Sequence, residues 1–253
     1  MRARRWGRTG LSLVTAVTFT VAGCGLPQAK ADPAPSTAAP ADVKADFKAA
    51  AAKLGEQSFQ AKTMLATGQV YTLTNTVADP AAGRARAEIE VRSDKGDDAW
   101  ISFVSIDDDY WIQLSDVDSN GKWLHAKVSQ LPAGSKVDSG SVGDPAGAKR
   151  FGESVVSVQR MGDRAFKGTV DLTGALGNSG SVLDKFGPNS TSVPFTAITD
   201  PVGRLEVISV DLRDLIGGGT LSVHFTAIGS PVDISAPSRM QVVEAPKSAL
   251  QSF

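Results

Sequence analysis

The chain has 253 residues, with 26 Lys+Arg against 27 Asp+Glu, 42% hydrophobic residues and a single cysteine. One cysteine excludes an internal disulfide framework and any zinc site built from cysteine pairs. The composition is that of a globular chain, neither disordered nor polytopic in a membrane. A formal charge of −1 excludes the strong basicity of a nucleic-acid-binding surface, so no nucleic acid is expected as a partner.

At the N-terminus Arg2, Arg4, Arg5 and Arg8 precede an apolar stretch from roughly Leu11 to Ala22. A run of about 12 residues is too short for a bilayer core of about 30 Å but fits the h-region of a signal peptide. It ends in Val21-Ala22-Gly23-Cys24, where the only cysteine sits. This resembles the bacterial lipobox, in which the thiol receives diacylglycerol, with palmitate-type acyl chains, and cleavage precedes the cysteine. The expectation is a signal peptide over 1–23 and a lipidated Cys24. Removing residues 1–23 takes away four arginines and no acid, which leaves 22 basic against 27 acidic side chains and a net charge of −5. Residues 24–41 continue in Pro, Ala and polar residues without apolar periodicity and read as an extended tether. A single folded domain is expected over 42–247.

That domain opens with one predicted helix: Asp42 as N-cap, an apolar stripe of Val43, Phe47, Ala50, Ala51 and Leu54, and Gly55 as the stop. Strands follow. Residues 84–92 alternate, with Ala85, Ala87, Ile89 and Val91 on one face and Arg84, Arg86, Glu88, Glu90 and Arg92 on the other. The same alternation places strands at about 57–65, 68–77, 97–106, 109–115, 122–128, 154–161, 165–172, 193–199, 204–212 and 220–228, with a short one within 238–244. Turns are predicted at Asn120-Gly121, Met161–Arg164, Asp200-Pro201-Val202-Gly203 and Gly217–Gly219. Helical breaks are expected near 144–152 and 178–187. The fold class is therefore mainly β: an antiparallel sheet of ten or more strands with few helices. A twisted sheet of that size must curl, split or close. It either fills itself as a barrel or leaves an apolar gap against its helices.

No reactive constellation accompanies this pattern. His125 and His224 lie far apart and read as partly exposed strand residues, so neither a metal nor a catalytic role is assigned. Nucleophile-elbow, phosphate-loop and zinc-protease motifs are missing. Asp116-Val117-Asp118-Ser119-Asn120-Gly121 matches half of a calcium loop, but Lys127 occupies the position that needs a bidentate Glu. A hairpin tip explains it better than calcium. Asp107-Asp108-Asp109 reads as a solvated turn, and Trp100, Phe103, Tyr110, Trp111 and Trp123 as cross-strand packing.

Three stretches carry a family likeness: Asp108–Leu114 with Gly121–Leu124, Gly162–Asp171, and Val193–Asp200 with Gly203–Leu205. In order along residues 42–245, they resemble the LppX/LprG-type lipoproteins of actinobacteria, relatives of the LolA/LolB lipid-carrier fold. The resemblance implies a half-barrel, a single curved antiparallel sheet wrapped over a few helices, enclosing an apolar cavity. It also implies a non-enzymatic protein without cofactor, anchored by lipid at the extracytoplasmic face of the cell membrane. Its ligand would be an acylated lipid or lipoglycan, bound for transport or handling in the envelope, with a membrane transporter as partner. Residues 129–153 are Gly/Ser-rich where that family has a helical stretch. Candidate cavity-wall residues are Phe166, Val170, Val182, Leu183, Phe186, Ile208 and Val210. The alternative function is an envelope interaction or sensing module with a filled core and no bound lipid.

Overall fold

The computed structural model describes residues 42–246, except 69, 97, 116–120, 132–142, 176–187 and 216–217. Cys24, the three candidates Val182, Leu183 and Phe186, the break at 178–187 and most of the 116–121 turn lie outside the described residues.

Helix α1 covers Val43–Ala52, and the Asp42 carboxylate accepts hydrogen bonds from the amides of Lys44 (3.0 Å) and Ala45 (3.1 Å). Two of the orphan amides of its first turn are thereby satisfied. Its stripe buries Phe47, Ala50 and Ala51. The helix does not stop at Gly55. It tightens after Ala52 into a 3-10 turn over Lys53–Glu56, which drops Leu54 into the core and contains Gly55.

The chain then lays down β1 (Phe59–Thr67), β2 (Val70–Asp79), β3 (Arg84–Ser93), β4 (Ala99–Ile106), β5 (Asp109–Leu114) and β6 (Trp123–Lys127), each pairing antiparallel with the next. Helix α2 (Ala148–Glu153) follows, its first amides at Lys149 and Arg150 donating to the Asp144 carboxylate. A second antiparallel run comprises β7 (Val155–Arg160), β8 (Ala165–Val170), β9 (Val193–Thr199), β10 (Leu205–Asp211) and β11 (Gly219–Thr226), with a short helix α3 (Leu172–Ala175) after β8. The runs meet where β11 pairs with β1, so the first strand lies inside the sheet. At the Asp200–Gly203 turn the amide of Gly203 donates to the carbonyl of Asp200 (3.0 Å), as the Pro and Gly positions predict.

One element departs from the expected all-antiparallel sheet. The last strand, β12 (Val242–Glu244), joins β6 in parallel, and the twelve-stranded sheet is mixed. A parallel neighbour needs a long return path, and the non-strand run between β11 and β12 supplies it. The sheet runs β12-β6-β5-β4-β3-β2-β1-β11-β10-β9-β8-β7 and does not close among the described residues. The fold is mainly β, a curved sheet over a few helices. A self-filling barrel is ruled out for this part of the chain.

Helices and sheet meet in a cluster centred on Phe47. Its ring lies 5.4 Å from those of Phe166 and Phe195 and 6.3 Å from that of Phe151. A second, smaller cluster of Tyr110, Ile112 and Leu124 sits on the same face at the far side of the sheet. Two glycines make the packing feasible. A Cβ on Gly152 would stand 2.8 Å from Ala51 Cβ where α1 and α2 touch, and one on Gly168 would stand 1.9 Å from the Ser157 carbonyl oxygen.

Candidate functional site

Strand register decides which residues share a face. On the face turned toward the helices (the inner face), Thr63 stands opposite Thr74, Thr74 opposite Ile89, Ile89 opposite Ile101, and Ile101 opposite Leu114. One step along, Leu221, Leu65, Thr72, Val91 and Ala99 form a second row. Each member of these rows from β1 to β5 is only partly buried. Leu65 and Leu221 pack against the cluster around Phe47, while Ile101 and Leu114 pack against the smaller one. Ile89 and Val91 lie between the two clusters and belong to neither among the described residues. The result is a band of aliphatic side chains and threonine methyl groups with no charged side chain in either row. Such a surface can bury hydrocarbon, at about 0.8 kcal/mol per CH₂.

The sequence candidates fall elsewhere on the same face. Phe166, Val170, Ile208 and Val210 are brought together, but in the tightly packed cluster with Phe47, at 3%, 0%, 2% and 0% exposure. They meet protein side chains under α1 and α2. The open band was missed although its signal was present, since Ile89 and Val91 stand on the apolar face of the alternating 84–92 segment. Alternation identifies an inner face without telling which strands the helices cover.

The aromatic group divides between the faces, as the period of two requires. Phe103 and Tyr110 point inward and stack with centroids 5.8 Å apart. Burial pushes the Tyr110 hydroxyl well above its ordinary value. Trp100 and Trp111 belong to the outer rows, opposite Glu90 and His125 respectively.

On that outer face Asp109 is more than part of a solvated turn. Its carboxylate bonds Lys127 Nζ at 2.6 Å and His125 Nε2 at 2.7 Å, while His125 Nδ1 reaches Glu244 on β12 at 2.8 Å. The Trp111 ring lies 5.2 Å from the imidazole. Partial burial works against a charge on His125, but the bonds to Asp109 and Glu244 outweigh it and raise its pKa above 6.5. The Lys127 ammonium, then His125, hold Asp109 below the usual carboxylate value. With both imidazole nitrogens occupied, this cluster joins β12 to β5 and β6 and offers no free base for chemistry. His224 is exposed on the outer face of β11.

Clefts also open at the ends and on the outer face. One of about 660 Å³ lies along Thr191–Pro194 and Asp211, and one of about 310 Å³ lies between α1 and the β7–β8 and β9–β10 turns, lined by Lys53, Arg160, Arg164 and three aspartates. In the latter, Arg160 is held by Asp46 (2.7 Å) and lies over the Phe166 ring. No helix among the described residues is long and apolar enough to cross a membrane. A scan against protein-family models finds no match, and a search of curated proteins finds none either.

Proposed function

We propose that this protein is a membrane-anchored, non-enzymatic carrier that shelters the acyl chains of a lipid or lipoglycan against the inner-face band. The observation that carries this reading is the set of partly exposed, uncharged side chains from Leu65 through Ile89 and Val91 to Leu114, lying between two packed clusters. Water-exposed aliphatic surface of this kind is unfavourable unless something apolar covers it. The lipobox-like end at Cys24, the tether after it and the resemblance to envelope lipid carriers support the same reading from the sequence. The working site comprises Leu65, Ile89, Val91, Ile101 and Leu114, with the Phe166–Val210 set as the packed wall beside it. Affinity would come from buried methylene groups, so a catalytic signature is not required.

The test is to purify the full chain from membranes, extract it with organic solvent and identify lipid by mass spectrometry. A stoichiometric acylated lipid is expected. Ile89→Asp places a charge in the band and should cut bound lipid severalfold, whereas Val156→Asp, at a residue already 51% exposed, should leave it unchanged. Absence of lipid from the unaltered protein, or equal loading of the Ile89→Asp variant, would overturn the proposal.

A further inference from the structure

The opposite face of the same strands carries a second kind of surface. Trp100 is 44% exposed there, although tryptophan is among the residues most buried on average. It borders a cleft of about 380 Å³ lined also by Asn75, Glu88, Glu90, Asp98 and Ser102 and, from the intervening positions of β3 and β4, by Ile89, Val91, Ala99 and Ile101. Register explains the arrangement. Lys62, Asn75, Glu88, Ser102 and Gln113 stand opposite one another in turn across β1 to β5, forming a row of hydrogen-bonding side chains. Beside it runs the row of Leu73, Glu90 and Trp100.

Of the three carboxylates lining this cleft, two are matched by a guanidinium, and the third, Asp98, accepts from the Ser93 amide at 3.2 Å. Glu88 binds Arg86 at 2.6 Å, and Glu90 receives two bonds from Arg92 at 2.8 and 2.6 Å. Their charges are compensated while lone pairs remain for other donors, so the cleft is a hydrogen-bonding surface more than a cation trap. The surroundings also lack the basic groove that single-stranded nucleic acid requires beside a stacking aromatic. What fits an exposed indole rimmed by amide, hydroxyl and carboxylate groups, two of the three carboxylates paired with arginine, is a ring with one C–H face and a belt of hydroxyls. We infer that the outer face of β2–β4 binds a neutral oligosaccharide, with Trp100 as the stacking platform and Asn75, Glu88 and Ser102 as partners of its hydroxyls. Three adjacent strands set those partners over about 10 Å, which suits a chain of sugars better than a single ring. Trp100 and the hydrogen-bonding side chains belong to the register rows opposite the lipid band, so loss of sugar binding and loss of lipid are read out by different variants.

The experiment is affinity electrophoresis of the full chain, in non-ionic detergent, through gels containing soluble α-mannan, arabinogalactan or dextran. Retardation by at least one polysaccharide, relieved by its free oligosaccharide, is the expected result. Trp100→Ala should weaken it about tenfold or more, with an unchanged far-ultraviolet circular dichroism spectrum. Met240→Ala, at a residue 88% exposed outside the cleft, should migrate like the unaltered protein. No retardation in any gel, or equal retardation of the Trp100→Ala variant, overturns the inference. So does binding of an oligolysine peptide in place of every polysaccharide.

Discussion

Phe47 shows how one side chain organises the helical side of the molecule. It is fully buried, and its ring approaches those of Phe151, Phe166 and Phe195, so truncation would open a cavity bounded by three aromatic rings. Phe47→Ala is expected to destabilise the protein by about 3–5 kcal/mol, read as a lower urea midpoint with little change in slope. A loss below about 1 kcal/mol would show that the α1 contact is dispensable. Phe47 was legible from the sequence because helical spacing put it in an apolar stripe behind the Asp42 cap. The tie between Asp109 and His125 was not. It rests on the β5–β6 register, which sets Asp109 against Lys127 and Trp111 against His125, and no local pattern encodes that alignment.

Among the elements, β12 joins the sheet through few backbone pairs and one charged contact. Only three residues pair with β6, assisted by the Ala245 amide donating to the His125 carbonyl and by the imidazole bridge to Glu244. The groups facing that imidazole are Asp109, Glu244 and, through Asp109, Lys127. His125 titrates higher in the folded chain than its ordinary 6.5, so the bridge is fully present below about pH 6.5 and is lost as pH rises through the raised value. Exposure of Glu244 limits its own contribution to less than about 1 kcal/mol. Hydrogen exchange at Ala245, corrected for its intrinsic rate, should therefore quicken as the pH rises above about 6.5. Glu244→Gln should flatten that dependence. Protection that is constant with pH would show that backbone pairing alone holds β12. Most strands were legible to within about two residues from alternation and Gly/Pro turns. The partner of β12 was not, because a three-residue strand has no periodicity and a parallel neighbour is chosen by the tertiary path.

At the scale of the molecule, two antiparallel runs share one sheet, and among the described residues the helices cover the inner face of only part of it. Sequence patterning showed that an inner face existed, but both its covered and open portions read as the same alternation. The candidates Phe166, Val170, Ile208 and Val210 therefore fell in the filled portion. The anchoring half of the proposed function is also tested at this scale. Cys24→Ser should move the protein from the detergent phase to the aqueous phase on Triton X-114 partition, because several acyl chains at one terminus hold a protein firmly and none does not. Unchanged partition would remove the anchor.

The two borders of the unclosed sheet bear on solubility. A free strand border is a template for another chain's backbone, and the twelve-stranded sheet has two borders among the described residues. At one end β12 covers the border of β6 and is itself only three residues long, too short a template to extend. At the other, β7 has a register shift between Val155 and Ser157, carries Arg160 tied to Asp46, and has the Val156 carbonyl contacted by Lys44 at 3.4 Å. Both borders are thus poorly suited to sheet-to-sheet growth.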